Sequence, residues 1–483
     1  MGAALFGGSF APIVQYEKWE IHKVFPHFPY FRLGQNLAPN LLVPLCGAAL
    51  TEKAVMTAGA CLLLKIDFRA GTKEVVVKNP FPLYNGEKDF FEQEGTAMKK
   101  LVLLLALALS LCACGAPAPS QTPVETPAET PPANTQPTDP LEGLTLRQKV
   151  GQLFVVRPDS LDFTQTQEQI NDAKAEGVTA VTGELLAALE QYPVGGIAVF
   201  GKNIQSPDQL RQFTADWSTA GDIPLFLAVD EEGGRVARLA NSEGFALPQY
   251  ESAAATVDAG EMGREIGAYL KEYGFNVDFA PVADVNSNPD NPVIGTRAFS
   301  DDAQQVRQQA AAMAEGLWEN GILPVYKHFP GHGDTAEDSH SQLASTHKTL
   351  EQLRAVEWLP YEGQTLPAVM VGHIAAPEAG VDGPASLSRT AVTDWLRGEL
   401  GHEGLVITDS LAMDAIAAAY TPAEAAVQAI EAGVDILLMP NGLREAFDGV
   451  VEAVESGRIP ESRIDESVRR ILKTKRQLGL LEG

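Results

Sequence analysis

From Leu144 onward the sequence places eight short apolar runs at intervals, with helical spacing between them. The runs are 153–156, 196–200, 225–229, 277–282, 323–326, 368–371, 405–408 and 435–439. They are short, rich in β-branched residues and bounded by Gly, Pro, Asp or His, the pattern of strands buried on both faces. Between them, Ser206-Pro207-Asp208-Gln209 offers an N-cap serine, proline at the first helical position and glutamine three residues after the cap. Thr421-Pro422-Ala423-Glu424 repeats that grammar before an alanine-rich stretch ending near Gly433. Eight strands alternating with helices predict an α/β chain, a (β/α)8 TIM-type barrel over residues 141–483. A doubly wound open sheet has the same alternation. The polar residues that follow many of the runs favour the barrel: Asp230, Asp284, Lys327-His328, His373 and Asp409. A barrel gathers such ends around one mouth, whereas an open sheet spreads them along an edge.

The charge narrows the partners. With 36 Lys+Arg against 63 Asp+Glu the net charge is -27. A phosphate backbone needs a basic footprint, so nucleic acid is not an expected partner. Residues 1–97 carry nine Lys+Arg and nine Asp+Glu, which leaves the whole excess in 98–483. The four cysteines are Cys46, Cys61, Cys112 and Cys114, so the main body has neither a disulfide nor a cysteine metal site.

Met98-Lys99-Lys100 precedes the eleven-residue apolar run 101–111 and then Cys112-Ala113-Cys114, the layout of a secretory signal. The run is too short to span a bilayer, which takes about 20 residues. Leu111-Cys112-Ala113-Cys114 resembles a bacterial lipobox, so 98–114 reads as a lipoprotein signal with lipid on Cys114. Residues 115–140 hold eight prolines among 26 and read as an extended tether of up to about 80 Å. The expected location is extracytoplasmic, anchored by lipid to a bacterial cell membrane, with no spanning helix. A signal is read at an N-terminus, and Gln93-Glu94-Gly95 fits a ribosome-binding sequence translated in frame. Residues 1–97 are therefore expected to be a non-native upstream extension, with the protein beginning at Met98; a genuine extra domain is the alternative. A monomer is expected.

The chemistry concentrates in Lys327-His328-Phe329-Pro330-Gly331-His332-Gly333-Asp334 and the following Glu337-Asp338-Ser339-His340. Four of the body's six histidines (His328, His332, His340, His347) fall within twenty residues. Pro330, Gly331 and Gly333 argue against a helix, so a long loop leaving a strand is expected. Asp338 and His340 sit two apart, able to face one side of an extended segment. A carboxylate on one ring nitrogen fixes the tautomer and prepares the other for proton transfer near neutrality. Any one of these histidines alone reads as a hydrogen-bonded loop residue. His328 and His332 are four apart, but without a helix they lack the geometry of a zinc motif, and no metal or cofactor is expected.

These residues closely resemble the hallmark of glycoside hydrolase family 3, in its β-N-acetylhexosaminidase branch. The stretch Ala228-Val229-Asp230-Glu231-Glu232-Gly233-Gly234-Arg235-Val236-Ala237-Arg238 is similar to its sugar-binding strand end, and Gly295-Thr296-Arg297-Ala298-Phe299 to its second arginine motif. The stretch from Val406 to Met413, with Thr408-Asp409-Ser410 at its centre, resembles the strand end that bears its nucleophile. The likeness covers roughly 144–483 with its motifs in family order. It implies Asp409 as nucleophile, His340 as acid/base oriented by Asp338, and Asp230, Arg238, Arg297, Lys327 and His328 as sugar-binding residues. For Asp409 alone a helix N-cap is the bland alternative. Glu231, Glu232 and Glu337 read as bystander surface acids, and His373 as either lining the pocket or packing beneath it. The segment 462–475 reads as an ordinary amphipathic outer helix. The roughly 70 residues after Asp409 suffice to complete a barrel, so all catalytic residues are expected from one domain.

The resemblance implies a retaining exo-β-N-acetylglucosaminidase acting on β-linked N-acetylglucosamine glycans derived from peptidoglycan. The alternatives are a phosphorylase using the same residues, a β-glucosidase or β-xylosidase, and a surface glycan-binding lipoprotein without turnover.

Overall fold

The computed structural model describes residues 139–336 and 343–481, and the backbone of three strands, Leu41–Pro44, Leu63–Phe68 and Val75–Lys78. The signal segment with Cys114, the tether up to residue 138, and Glu337, Asp338 and His340 lie outside the described residues. The chain divides into two compact units, Met1–Thr130 and Pro131–Gly483, at a point inside the proline-rich segment. In the first, Leu63–Phe68 is the central strand of an antiparallel sheet, with Ile66 opposite both Leu41 and Val77. Two of these strands fall on apolar runs of the extension (41–45 and 61–66).

In the second unit every expected apolar run contributes a strand. They are β1 (Phe154–Val156), β2 (Gly196–Ala198), β3 (Phe226–Val229), β4 (Val277–Asp278), β5 (Leu323–Pro324), β6 (Tyr326–Phe329), β7 (Ala368–Val371), β8 (Leu405–Thr408) and β9 (Leu437–Leu438). β5 and β6 are one run interrupted at Val325. All pair in parallel. One sheet has the order β5-β4-β3-β2-β1-β9 and the other β6-β7-β8. Representative partners are Leu437 with Phe154, Val155 with Gly196, Gly196 with Phe226, and Val371 with Thr408. Single parallel bridges, Val282 to Lys327 and Ile407 to Ile436, link the two sheets. The result is a TIM-barrel-like α/β fold. The ladder of β4 ends at Asp278, short of the run 277–282.

Helices cover the strands, and they begin where the sequence chemistry says they should. In α1 (Pro207–Ser218) the Ser206 side chain accepts from the Gln209 backbone N–H, and Pro207 stands at the first helical position. α2 (Ala259–Glu272) packs on α3 (Ala303–Glu319), where Gly263 and Gly316 let the two backbones meet. α4 (Pro422–Ala432) carries the full capping box of Thr421 and Glu424 and stops at Gly433, whose φ of 112° suits glycine. One contiguous core joins the strands to the inner helix faces; Phe154, Ile197, Phe226, Leu437 and Phe447 are all at most 1% exposed. Each such side chain contributes about 1.5–3 kcal/mol relative to exposure.

α5 (Glu461–Gln477) is the amphipathic helix expected over 462–475, with one addition. Ile464, Val468, Ile471 and Leu472 face the core as an amphipathic helix requires, but Lys475 is buried as well. Its Nζ donates to Gln152 Oε1 at 2.7 Å and to the Gly195 carbonyl at 3.0 Å, 4.8 Å from the Phe226 ring centroid. Burial lowers its pKa to about 7. These partners lie at the amino ends of β1–β3, opposite the end where the polar residues gather.

Candidate active site

At the carboxyl ends of the strands, main-chain direction alone brings distant polar residues together. Asp230 follows β3, Asp284 follows β4, Lys327 and His328 lie within β6, His373 follows β7 and Asp409 follows β8. Lys327 and His328 are part of the strand itself, so the long loop expected there starts only after Phe329.

The centre is an ion-pair network. Lys327 Nζ stands 2.8 Å from Asp230 Oδ1 and 2.6 Å from Glu232 Oε1. Arg297 grips Glu232 with two bonds, Nε to Oε2 at 2.8 Å and Nη2 to Oε1 at 2.7 Å. Arg238 Nη2 lies 3.5 Å from Asp230 Oδ2. Burial alone would push the Glu232 carboxyl up, but Arg297 and Lys327 outweigh it and hold it well below the usual range. Asp230 is likewise lowered, with Lys327 and then Arg238 overcoming burial. Lys327 is in turn raised by Asp230 and Glu232 despite its burial. The cations are thus fixed as donors, and Asp230 and Glu232 as acceptors.

A short hairpin presents this acidic pair. Glu231–Gly233 pairs with Val236–Ala237 through Gly233 and Gly234, at φ 80° and 67°. A Cβ on Gly234 would sit 2.9 Å from Ser252 Cα, a backbone atom, and both φ values lie in the left-handed region that favours glycine. Glu231 and Glu232, expected as bystander surface acids, are 0% and 4% exposed. Glu231 takes the Leu239 and Ala240 N–H groups (2.8 and 2.9 Å) and the Tyr269 hydroxyl (2.9 Å), pinning the hairpin's return. Glu232 is the hub between Lys327 and Arg297. The strand-end rule misses it because it lies three residues past the end of β3.

A second group forms around Asp284. His328 Nδ1 is 2.7 Å from Asp284 Oδ2, and Asp284 Oδ1 accepts the backbone N–H of His328 (3.2 Å) and of His332 (2.7 Å). The rings of His328 and His332 meet edge to face, centroids 5.8 Å apart. Burial and then the neighbouring His328 lower the His332 pKa to about 4, against the opposite pull of Asp284 and Asp409, so it is neutral at pH 7. His347, from the same histidine cluster, is exposed and outside the group. Among the described residues no group of three or more His, Cys, Asp or Glu is arranged to hold a metal ion.

Asp409 is part-exposed at the tip of β8. Its N–H donates to the Val371 carbonyl at 2.9 Å, and its Oδ1 accepts the Ser410 N–H at 2.7 Å. It is not a helix cap: the next helix, Asp414–Ala417, has Met413 in the capping position. His373 packs beneath. It is 1% exposed, with Nδ1 2.7 Å from the Ser386 hydroxyl and Nε2 2.8 Å from the Ser410 carbonyl. An imidazole between a carbonyl and a hydroxyl donates from Nε2 and accepts at Nδ1. It thereby holds Ser410 from one side while Asp409 is held from the other.

The fold and site thus define a strand-end mouth of buried cations, acceptor carboxylates and a presented aspartate. The glycosyl hydrolase family 3 N-terminal domain matches residues 145–474, and the chain belongs to that family. It is 32% identical over 374 residues to β-hexosaminidase A of Pseudoalteromonas piscicida, covering 69% of this chain and 62% of that protein. It is 36% identical over 307 residues to the β-hexosaminidase LpqI of Mycobacterium tuberculosis, covering 60% and 77%. The solved family 3 β-N-acetylglucosaminidase of Paenibacillus sp. str. FPU-7 superposes with a TM-score of 0.63 at 36% identity, over 70% of this chain and 64% of that one. The chain therefore spans somewhat under two thirds of two of these three relatives.

Proposed function

We propose that this chain is a retaining exo-β-N-acetylglucosaminidase that releases terminal β-linked N-acetylglucosamine from peptidoglycan-derived glycans. One observation carries the reading: Asp230, Glu232, Lys327 and Arg297, spread over nearly a hundred positions of sequence, close into one buried network on the strand ends that also present Asp409. Family membership and relatives named β-hexosaminidase support it. The closed (β/α)8 barrel is part of the proposal, supported by the two bridges between the parallel sheets.

In the proposed reaction an Asp409 carboxylate oxygen attacks the anomeric carbon, the glycosidic C–O bond breaks, and the leaving oxygen takes a proton from protonated His340, which Asp338 orients. Water then attacks the anomeric carbon, gives its proton to His340, and the ester bond to Asp409 breaks, which restores the starting configuration. Asp230, Arg238, Arg297, Lys327 and His328 hold the sugar. Their rigid partners keep those donors and acceptors aimed before substrate arrives.

The test is Asp409→Asn. Turnover of an aryl β-N-acetylglucosaminide is expected to fall on the order of 10³-fold or more with the fold retained. The wild type should release β-configured N-acetylglucosamine and carry a covalent sugar on Asp409 when trapped with a fluorosugar. Inverted product, or normal activity in the variant, overturns the reading; sugar-1-phosphate formed only with phosphate present would make it a phosphorylase.

The anchor and address belong to the same proposal. Residues 98–114 would direct export and lipid attachment at Cys114, 115–140 would tether the domain to the cell membrane as a monomer, and 1–97 would be absent from the native protein. No helix among the described residues is long and apolar enough to cross a membrane. Intact mass of the native protein tests this: a species retaining 1–97, or lacking lipid, overturns it.

A further inference from the structure

A second charged cluster lies beside the active site, and none of the roles above uses it. Glu357, whose side chain is 0% exposed, accepts from Lys348 Nζ at 2.5 Å and from the Ser287 hydroxyl at 3.0 Å. Lys348 Nζ also reaches Ser287 Oγ at 3.0 Å and Asp334 Oδ1 at 3.4 Å. Asp334 Oδ2 accepts the Thr346 hydroxyl at 2.9 Å. Asp334 stands just before the segment 337–342 and Thr346 and Lys348 just after it, so this cluster joins the two ends of the segment that carries Asp338 and His340.

Each end is also tied to the barrel by its own backbone. Asn291 Nδ2 donates to the carbonyls of His332 and Thr335, both at 2.8 Å, and the Asn288 N–H donates to the Gly333 carbonyl at 3.1 Å. On the far side, Ala344–Ser345 pairs in parallel with Ile374–Ala375, just beyond β7, and the Thr346 N–H donates to the Ala375 carbonyl at 2.9 Å. The cluster spans both ends. Buried charge pairs of this kind cost desolvation energy, and their best attested use is to select one arrangement over others.

We propose that the Asp334–Lys348–Glu357 cluster is a positioning device for proton transfer: it sets the spacing of the two chain ends between which the acid/base histidine is carried. The inference rests on the reading of His340 as the acid/base. The device acts through His340 and touches no substrate, so its loss should appear where protonation of the leaving group limits the rate. Glycosides with poor leaving groups need that proton, and activated ones do not.

The test uses kcat/KM, which reports the first glycosyl transfer, on two substrates: an N-acetylglucosamine disaccharide and the dinitrophenyl β-N-acetylglucosaminide. Asp334→Ala removes the link between the ends and leaves Glu357 paired with Lys348. It is expected to lower kcat/KM on the disaccharide on the order of tenfold or more, and on the dinitrophenyl glycoside less than about threefold. Glu357→Gln should give the same selective loss. If either variant is too unstable to assay, the other decides. Equal losses on both substrates, or none on either, overturn the positioning role. His340→Ala is measured alongside. If it too fails to discriminate between the substrates, the acid/base reading itself falls; if it discriminates and the cluster variants do not, only this inference falls.

Discussion

Glu232 holds the candidate site together, and replacing it measures how much. Glu232→Gln keeps the size of the side chain and removes its charge, and Glu232→Ala removes the group. In both, Arg297 and Lys327, with side chains 10% and 3% exposed, lose the carboxylate charge they share at 2.6–2.8 Å. Removing one partner of a buried ion pair costs about 3–5 kcal/mol, because the other charge is left unpaired. The retained amide oxygen places glutamine near 3 kcal/mol and alanine near 5, roughly. In a unit of this size each kcal/mol moves Tm by about 2 °C, so falls of about 6 and 10 °C are expected at pH 7. The Glu232 carboxyl is lowered from its ordinary 4.5, so its contribution is fully present above that pH and fades as the pH falls below it. The gap between wild type and variants should therefore narrow in acid. The control is Glu261→Gln, which breaks the exposed pair with Arg264, side chains 58% and 45% exposed, and should leave Tm unchanged. Calorimetry of the three variants decides: if Glu232→Gln loses no more than Glu261→Gln, the network is not the scaffold of the site. The kcat/KM of Glu232→Gln should also fall by on the order of a hundredfold, as Arg297 and Lys327, proposed to hold the sugar, lose their aim.

Other variants test other parts of the structure. His402 lies away from the mouth and its pKa is lowered from 6.5 to about 4 by burial. Between those values only the unfolded chain is protonated, so stability is lost as the pH falls. Denaturant titrations of His402→Gln should be flatter by up to about 3 kcal/mol over that window, and parallel curves would refute the burial argument. Lys475, lowered from 10.5 to about 7, makes stability rise with pH above 7. Lys475→Met should remove a slope of about 1.4 kcal/mol per pH unit between pH 7 and 9, and an unchanged slope would mean that the amine is protonated in place. A Cβ on Gly333 would lie 1.7 Å from the Val285 carbonyl oxygen, a backbone atom with no easy retreat. Gly333→Ala is therefore expected to cost about 2 kcal/mol or more in stability and to reduce turnover; a variant matching wild type in both would contradict the packing at this loop.

The strands were legible because burial on both faces leaves a one-dimensional mark: 368–371 and 405–408 coincide with β7 and β8 to the residue. The helix starts at Ser206 and Thr421 were legible because capping is local chemistry. Where the sequence reading failed, the deciding contact was remote. Glu232 looked like a surface acid because its partners Lys327 and Arg297 are 95 and 65 positions away. The amphipathic pattern of 462–475 did not single out Lys475 as buried, because its partners Gln152 and Gly195 are 323 and 280 positions away. Asp284 stood out as a strand-end residue, but its hold on both His328 and His332 follows only from their geometry.

By itself, then, the order of residues determined the alternation of strands and helices, the caps that start them, and the family to which the four motifs belong. Those properties depend on neighbours within a few positions, or on motifs whose spacing survives without coordinates. Only the tertiary structure decided which acids are buried, which cations they hold, and that the two ends of segment 337–342 are joined through Lys348. A charge's protonation and purpose depend on the dielectric and the partners around it, and folding brings those together from parts of the chain that share no local pattern.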